Sequence, residues 1–245
     1  MRLIVAKDYR DMSRKAANII SAQVIIQPNS VLGLATGATP LGLYDQLTKW
    51  YQKGDVDFSE CTTINLDEYC GLPPEDKRSY HYYMQSNLFN KTNFAPDRVH
   101  IPNGASGDDA AECERYSRII EEAGRIDIQL LGIGRNAHIG FNEPGSSFSR
   151  GTHVVTLSQS TIEANSRFFE SDTKVPNKAI SVGMQDIMRA KKILLIASGE
   201  DKADAIYRSF FGPVTPETPA SILQLHPDVI VIVDEAAIST VEKIR

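Results

Sequence analysis

The chain has 245 residues, 42% hydrophobic and 23% charged, and its 26 Lys and Arg against 31 Asp and Glu leave a formal charge of −5 at neutral pH. That balance is globular and excludes a disordered or collagen-like chain, and the length allows one large domain or two small ones. An acidic total offers no broad attraction for nucleic acid or anionic lipid, so an anionic ligand has to be held by a local cluster of positive charge.

The N-terminus, Met1-Arg2-Leu3-Ile4-Val5-Ala6-Lys7-Asp8, meets charge too early for a signal-peptide core, which needs roughly 7–15 apolar residues. Apolar runs at 3–6, 31–34, 62–66, 126–133, 192–197 and 229–234 read as strands, several of them too uniformly apolar to have a wet face. Between them, 11–26, 41–51, 108–123 and 202–211 have helical spacing; Met12, Ala16 and Ile20 fall four apart on one face. Strand, helix, strand, repeated, predicts a parallel sheet covered on both faces. The longest purely apolar stretches, such as 193–197 and 229–233, fall far below the ~20 residues that span a bilayer. Cys61, Cys70 and Cys113 form neither a C-x-x-C pair nor a disulfide framework and read as reduced thiols. We therefore expect one α/β domain over residues 1–245, in the cytoplasm, with no membrane or nucleic-acid partner.

Ligands of such sheets bind beyond the carboxyl ends of the strands. Three loops there are chemically unusual. The first, Gly33-Leu34-Ala35-Thr36-Gly37-Ala38-Thr39-Pro40, leaves a strand and has Pro40 where a helix should begin. Its backbone N–H groups, with Gly37 permitting close approach and Thr36 and Thr39 adding hydroxyls, suit a phosphate, although no Gly-Lys-Ser/Thr makes it a Walker A loop. The second is Asn65-Leu66-Asp67-Glu68-Tyr69, at the end of a strand. In extended chain Asp67 and Glu68 point to opposite faces, so one of the two is the candidate base for proton abstraction beside a carbonyl.

The third loop runs from Gly132 to Gly145. Its opening matches a dinucleotide fingerprint, but Pro144 cuts the following helix short and no acidic residue lies between Glu143 and Glu163, so a coenzyme site is not expected. The loop instead gathers Asn136, His138 and Glu143 within eight residues, where the amide can orient the imidazole and the carboxylate can favour its protonated form. The sequences H-x-E…P-C-x-x-C, H-E-x-x-H and G-x-S-x-G are absent, so neither a zinc-activated water nor a serine nucleophile is indicated.

Together with Ala164-Asn165-Ser166-Arg167-Phe168-Phe169, Ser198-Gly199-Glu200-Asp201-Lys202-Ala203 and Leu223-Gln224-Leu225-His226-Pro227, these loops resemble the glucosamine-6-phosphate deaminase (glucosamine-6-phosphate isomerase) family, over nearly the whole chain. The most specific motif is His138-Ile139-Gly140-Phe141-Asn142-Glu143-Pro144. The resemblance implies a Rossmann-like three-layer α/β/α fold and conversion of glucosamine 6-phosphate to fructose 6-phosphate and ammonia, without metal or coenzyme. By motif position, His138 assists opening of the sugar ring, tuned by Glu143 and Asn136. Asp67 carries the proton from carbon 2 to carbon 1 through an enolamine, whose hydrolysis releases ammonia. Thr36, Gly37, Ala38, Thr39, Arg167 and Lys202 match the phosphate ligands, and the segment around Arg167 matches a mobile lid.

Several positions depart from the family pattern. Ala38 and Ala137 stand where Gly is expected, and a methyl is penalised wherever φ is positive. Asn136 stands where some relatives have Asp, which predicts a shifted pH optimum. Ser149-Arg150-Gly151-Thr152-His153 and Val155 depart from the pattern of the allosterically activated relatives, so a monomer or small homo-oligomer is expected. Two other readings are a 6-phosphogluconolactonase, which shares the fold and a similar phosphate loop, and a non-catalytic sugar-phosphate sensor. No helix-turn-helix precedes the first strand to support the sensor.

Overall fold

The computed structural model describes residues 1–166 and 175–244. β1 (Arg2–Ala6) leads into α1 (Tyr9–Ile26), whose N-terminus is capped by Asp8 accepting from Asp11 N at 2.8 Å. Met12, Ala16, Ile20 and Val24 are its buried stripe. β2 (Val31–Leu34) and α2 (Leu41–Lys53) follow, with Pro40 at the N-cap and Gly54 closing the helix in the left-handed region at φ 80°. Next come β3 (Thr62–Asn65), β4 (Asp67–Tyr69), α3 (Tyr80–Asn87) and β5 (Val99–His100). Then come α4 (Asp109–Ala123), capped by Asp108, and β6 (Ile128–Leu131). The rest comprises β7 (His153–Thr156), α5 (Gln159–Asn165), β8 (Lys178–Ser181), α6 (Met184–Arg189), β9 (Lys192–Ala197), α7 (Ala203–Phe211), β10 (Val229–Asp234) and α8 (Glu235–Ile244).

Seven strands form one parallel sheet in the order β1-β10-β9-β6-β2-β3-β5, flanked by helices in a three-layer, Rossmann-like α/β/α arrangement. The uniform apolarity of β6, β9 and β10 has its cause here, since nearly all their residues are buried. From β2 the chain steps outward through β3 to β5; from β6, beside β2, it steps the other way through β9 to β10. β2 and β6 therefore flank a topological switch point, where connections diverge and a crevice opens beyond the strand ends.

Three expected elements differ in the structure. The run 62–66 is not one strand: the ladder ends at Asn65, and after Leu66 the chain enters a second, antiparallel sheet, β4-β8-β7, pairing Asp67 with Ser181. The run 126–133 is strand only at Ile128–Leu131, because its ends turn into loops. The helix expected over 202–211 begins as a 3₁₀ turn, Glu200–Lys202, before α7. Among the described residues no helix is long and apolar enough to cross a membrane.

Candidate active site

A cavity of ≈ 140 Å³ opens at the switch point. The loop after β2 contributes Thr36, Gly37, Ala38 and Thr39, the β3–β4 junction Asp67, the loop after β6 Asn136 and His138, and the turn after β9 Lys202. Four segments far apart in sequence thus converge because their strands are neighbours in the sheet. Arg167 lies outside the described residues. Glu143 does not line the cavity; it stands behind His138 and touches the site through its neighbours.

The backbone N–H groups of residues 36–39 have no acceptor among the described residues, which leaves a nest of four donors on one short loop. Gly37, at φ 98°, supplies the left-handed residue the turn requires. Ala38 does not have positive φ, so the penalty expected for a methyl there does not arise. At Ala137 it does: φ is 69°, the one positive value at a non-glycine residue among those described. The turn is closed by Gly134 N donating to His138 O at 2.9 Å and Ala137 N donating to Gly134 O at 3.0 Å.

Asp67 is 6% exposed and makes no hydrogen bond to any described residue. Burial, reinforced by the charge of Glu68, pushes its carboxyl up to about 8. Glu68 points the other way, as strand alternation requires, and accepts from the backbone N–H groups of Tyr69, Tyr80 and His81 at 2.8–2.9 Å. It thereby caps the start of α3, while burial pushes its carboxyl up to about 7 against the lowering effect of those bonds. Of the two acids left open by the sequence, Asp67 faces the cavity and Glu68 serves the helix.

The imidazole of His138 lies against Gly134, where a Cβ would come within 2.4–2.5 Å of three ring atoms, so only glycine fits. Its Nδ1 stands 3.6 Å from Glu143 Oε2, an ion-pair distance rather than a hydrogen bond, and 3.4 Å from Thr161 Oγ1. Glu143 is held by Asn136 Nδ2 at 2.6 Å, Thr161 Oγ1 at 2.5 Å and Ser158 Oγ at 3.2 Å. Burial alone would raise its carboxyl, but His138, Thr161 and Asn136 outweigh it and hold the group down to about 2. The result is a carboxylate fixed behind a histidine, which orients the ring.

Ser158 and Thr161, at the start of α5, were not singled out in the sequence. Ser158 caps α5 by accepting from Thr161 N, so a Ser-x-x-Thr spacing before a helix was the available signal, but such caps are common and point to no ligand. Arg135 and Asp201 form an ion pair at 2.9 Å between the loops after β6 and β9 and line the same cavity. Among the described residues no group of three or more His, Cys, Asp or Glu could hold a metal ion.

A family model described as glucosamine-6-phosphate isomerases/6-phosphogluconolactonase matches residues 7–231. A glucosamine-6-phosphate deaminase of Lachnoclostridium phytofermentans is 58% identical over 95% of this chain and 98% of its own length. One from Clostridioides difficile is 57% identical over 98% of this chain and 96% of its own. A solved structure described as a monomeric glucosamine-6-phosphate deaminase superposes with a TM-score of 0.95 at 47% identity, covering 98% of this chain and 99% of that one.

Proposed function

We infer the reaction from the premise that this chain belongs to the glucosamine-6-phosphate isomerase/6-phosphogluconolactonase family: it converts glucosamine 6-phosphate to fructose 6-phosphate and ammonia. The relatives at 57–58% identity are named as deaminases, which favours that activity over lactone hydrolysis within the family.

The observation that carries the chemistry is that a partnerless, buried carboxyl, an imidazole backed by an anion and a loop of unused N–H donors share one small cavity. The phosphate sits on the N–H groups of residues 36–39, neutralised by Lys202 and Arg167. His138 moves the proton that opens the pyranose ring, held in orientation by Glu143 and Asn136. Ionised Asp67 then removes the proton from carbon 2; the electron pair forms the enolamine, and reprotonation at carbon 1 leaves an imine at carbon 2. Water adds to that imine and ammonia leaves, so the last step is hydrolytic. Desolvation suits Asp67 to this role, because a carboxylate of raised basicity takes a carbon-bound proton more readily than one in water.

Acid–base groups supply every step, and we assign no metal or coenzyme to the reaction; activity is expected to survive exhaustive chelation. A monomer or small homo-oligomer is inferred, supported by the 47%-identical structure described as a monomeric deaminase, and three free thiols fit a reducing cytoplasm. Incubation with glucosamine 6-phosphate tests the reading. Equal amounts of ammonia and fructose 6-phosphate are expected; neither product, with 6-phosphogluconolactone hydrolysed instead, contradicts it.

A further inference from the structure

The carbonyl oxygens of the loop after β2 are taken up by three tyrosines from three different helices. Tyr44 of α2 donates to Ala35 O at 2.5 Å, Tyr83 of α3 to Gly37 O at 2.7 Å and Tyr9 of α1 to Ala38 O at 3.2 Å. Tyr9 also accepts from Gly42 N at 2.8 Å, which ties the loop to the first turn of α2. None of the three tyrosines lines the cavity, whereas residues 35–39 all do, so the loop separates the hydroxyls from the ligand space. In a trans peptide the carbonyl of one residue and the N–H of the next point in opposite directions. Fixing the carbonyls of residues 35, 37 and 38 therefore fixes the N–H groups of Thr36, Ala38 and Thr39 facing away from the tyrosines, and none of those N–H groups has an acceptor among the described residues.

We propose that Tyr9, Tyr44 and Tyr83 are positioning residues for phosphate binding: their hydroxyls hold the loop's peptide planes so that its N–H groups are preset toward the phosphate of the substrate. The proposal rests on the reading of residues 36–39 as the phosphate cradle. Burial keeps the Tyr44 and Tyr83 phenols protonated, as donors, well beyond neutral pH. Preset donors matter because a free loop with one glycine and small side chains would have to order its peptides on binding, at a cost taken from affinity. Glu68 extends the arrangement, since α3, which it caps, carries Tyr83.

Tyr44 is fully buried, and its truncation would leave a buried carbonyl unpaired, so the informative variants are Tyr9→Phe, Tyr83→Phe and the pair. The measurements are KM for glucosamine 6-phosphate, kcat and the inhibition constant of inorganic phosphate. For each hydroxyl removed, KM and the phosphate inhibition constant are expected to rise together by roughly 2- to 10-fold, with a smaller change in kcat. A folded double variant whose phosphate inhibition constant equals that of the wild type overturns the proposal, as does a loss of kcat with KM unmoved. Wild-type enzyme insensitive to inorganic phosphate overturns the cradle reading itself, and the two failures are distinguished because that control contains no tyrosine variant.

Discussion

Asp67 and Glu68 are neighbours in sequence, and both are buried, yet only Glu68 finds hydrogen bonds. Alternation along extended chain made their divergence legible; which of them faced the cavity depended on where the second sheet begins, and only the motif resemblance pointed to Asp67. Holding Asp67 unpaired lowers stability once it ionises. Its folded value of about 8 lies above the ordinary 3.8, so the stability tied to its neutral form is fully present below about pH 4 and is lost as pH rises through 8. Asp67→Asn is therefore expected to melt like wild type at pH 4 and to be more stable by roughly 1–3 kcal/mol at pH 8.5, as read by thermal unfolding at both pH values. Ala137 carries a different strain. Replacing it with Gly relieves the positive φ but removes a buried methyl and loosens the unfolded chain, effects of similar size and opposite sign. Urea unfolding is expected to place Ala137→Gly within ~1 kcal/mol of wild type, and Ala137→Val, β-branched at φ 69°, ~2–4 kcal/mol below it.

Among the elements, the long apolar strands and capped helices were readable because each shows a full period of its pattern, as α1 does with Met12, Ala16, Ile20 and Val24. The sheet β4-β8-β7 was not, because its strands are three or four residues long, too short to display alternation, and β7 is only half buried. This small sheet carries Asp67 and is held in place by the loop between β5 and α4. Gly71 N donates to Gly104 O at 2.6 Å, and a Cβ on Gly104 would stand 1.9 Å from Tyr69 O. Since that neighbour is backbone, the strand itself has to move. Gly104→Ala is expected to cost about 2–4 kcal/mol in urea unfolding and to lower kcat/KM by at least about tenfold, although residue 104 does not line the cavity.

For the molecule as a whole, strand and helix alternation predicted the parallel sheet, but the order β1-β10-β9-β6-β2-β3-β5 follows from packing among distant segments and leaves no local trace. That order nevertheless makes the site, since it brings the loops after β2 and β6 side by side with the β3–β4 junction. The N–H groups of residues 36–39 and Lys202 are gathered at one crevice, and on the proposed reading this local cluster is what lets a chain of formal charge −5 hold an anionic sugar. Everything in this account depends on Asp67 moving the proton from carbon 2. The most direct test follows deuterium by NMR in glucosamine 6-phosphate labelled at carbon 2, with wild type and Asp67→Asn. Wild type is expected to remove the label from carbon 2 as product forms, while the variant leaves it in the substrate and turns over about 10²–10⁴-fold more slowly. A folded Asp67→Asn that strips the label at the wild-type rate would contradict the account.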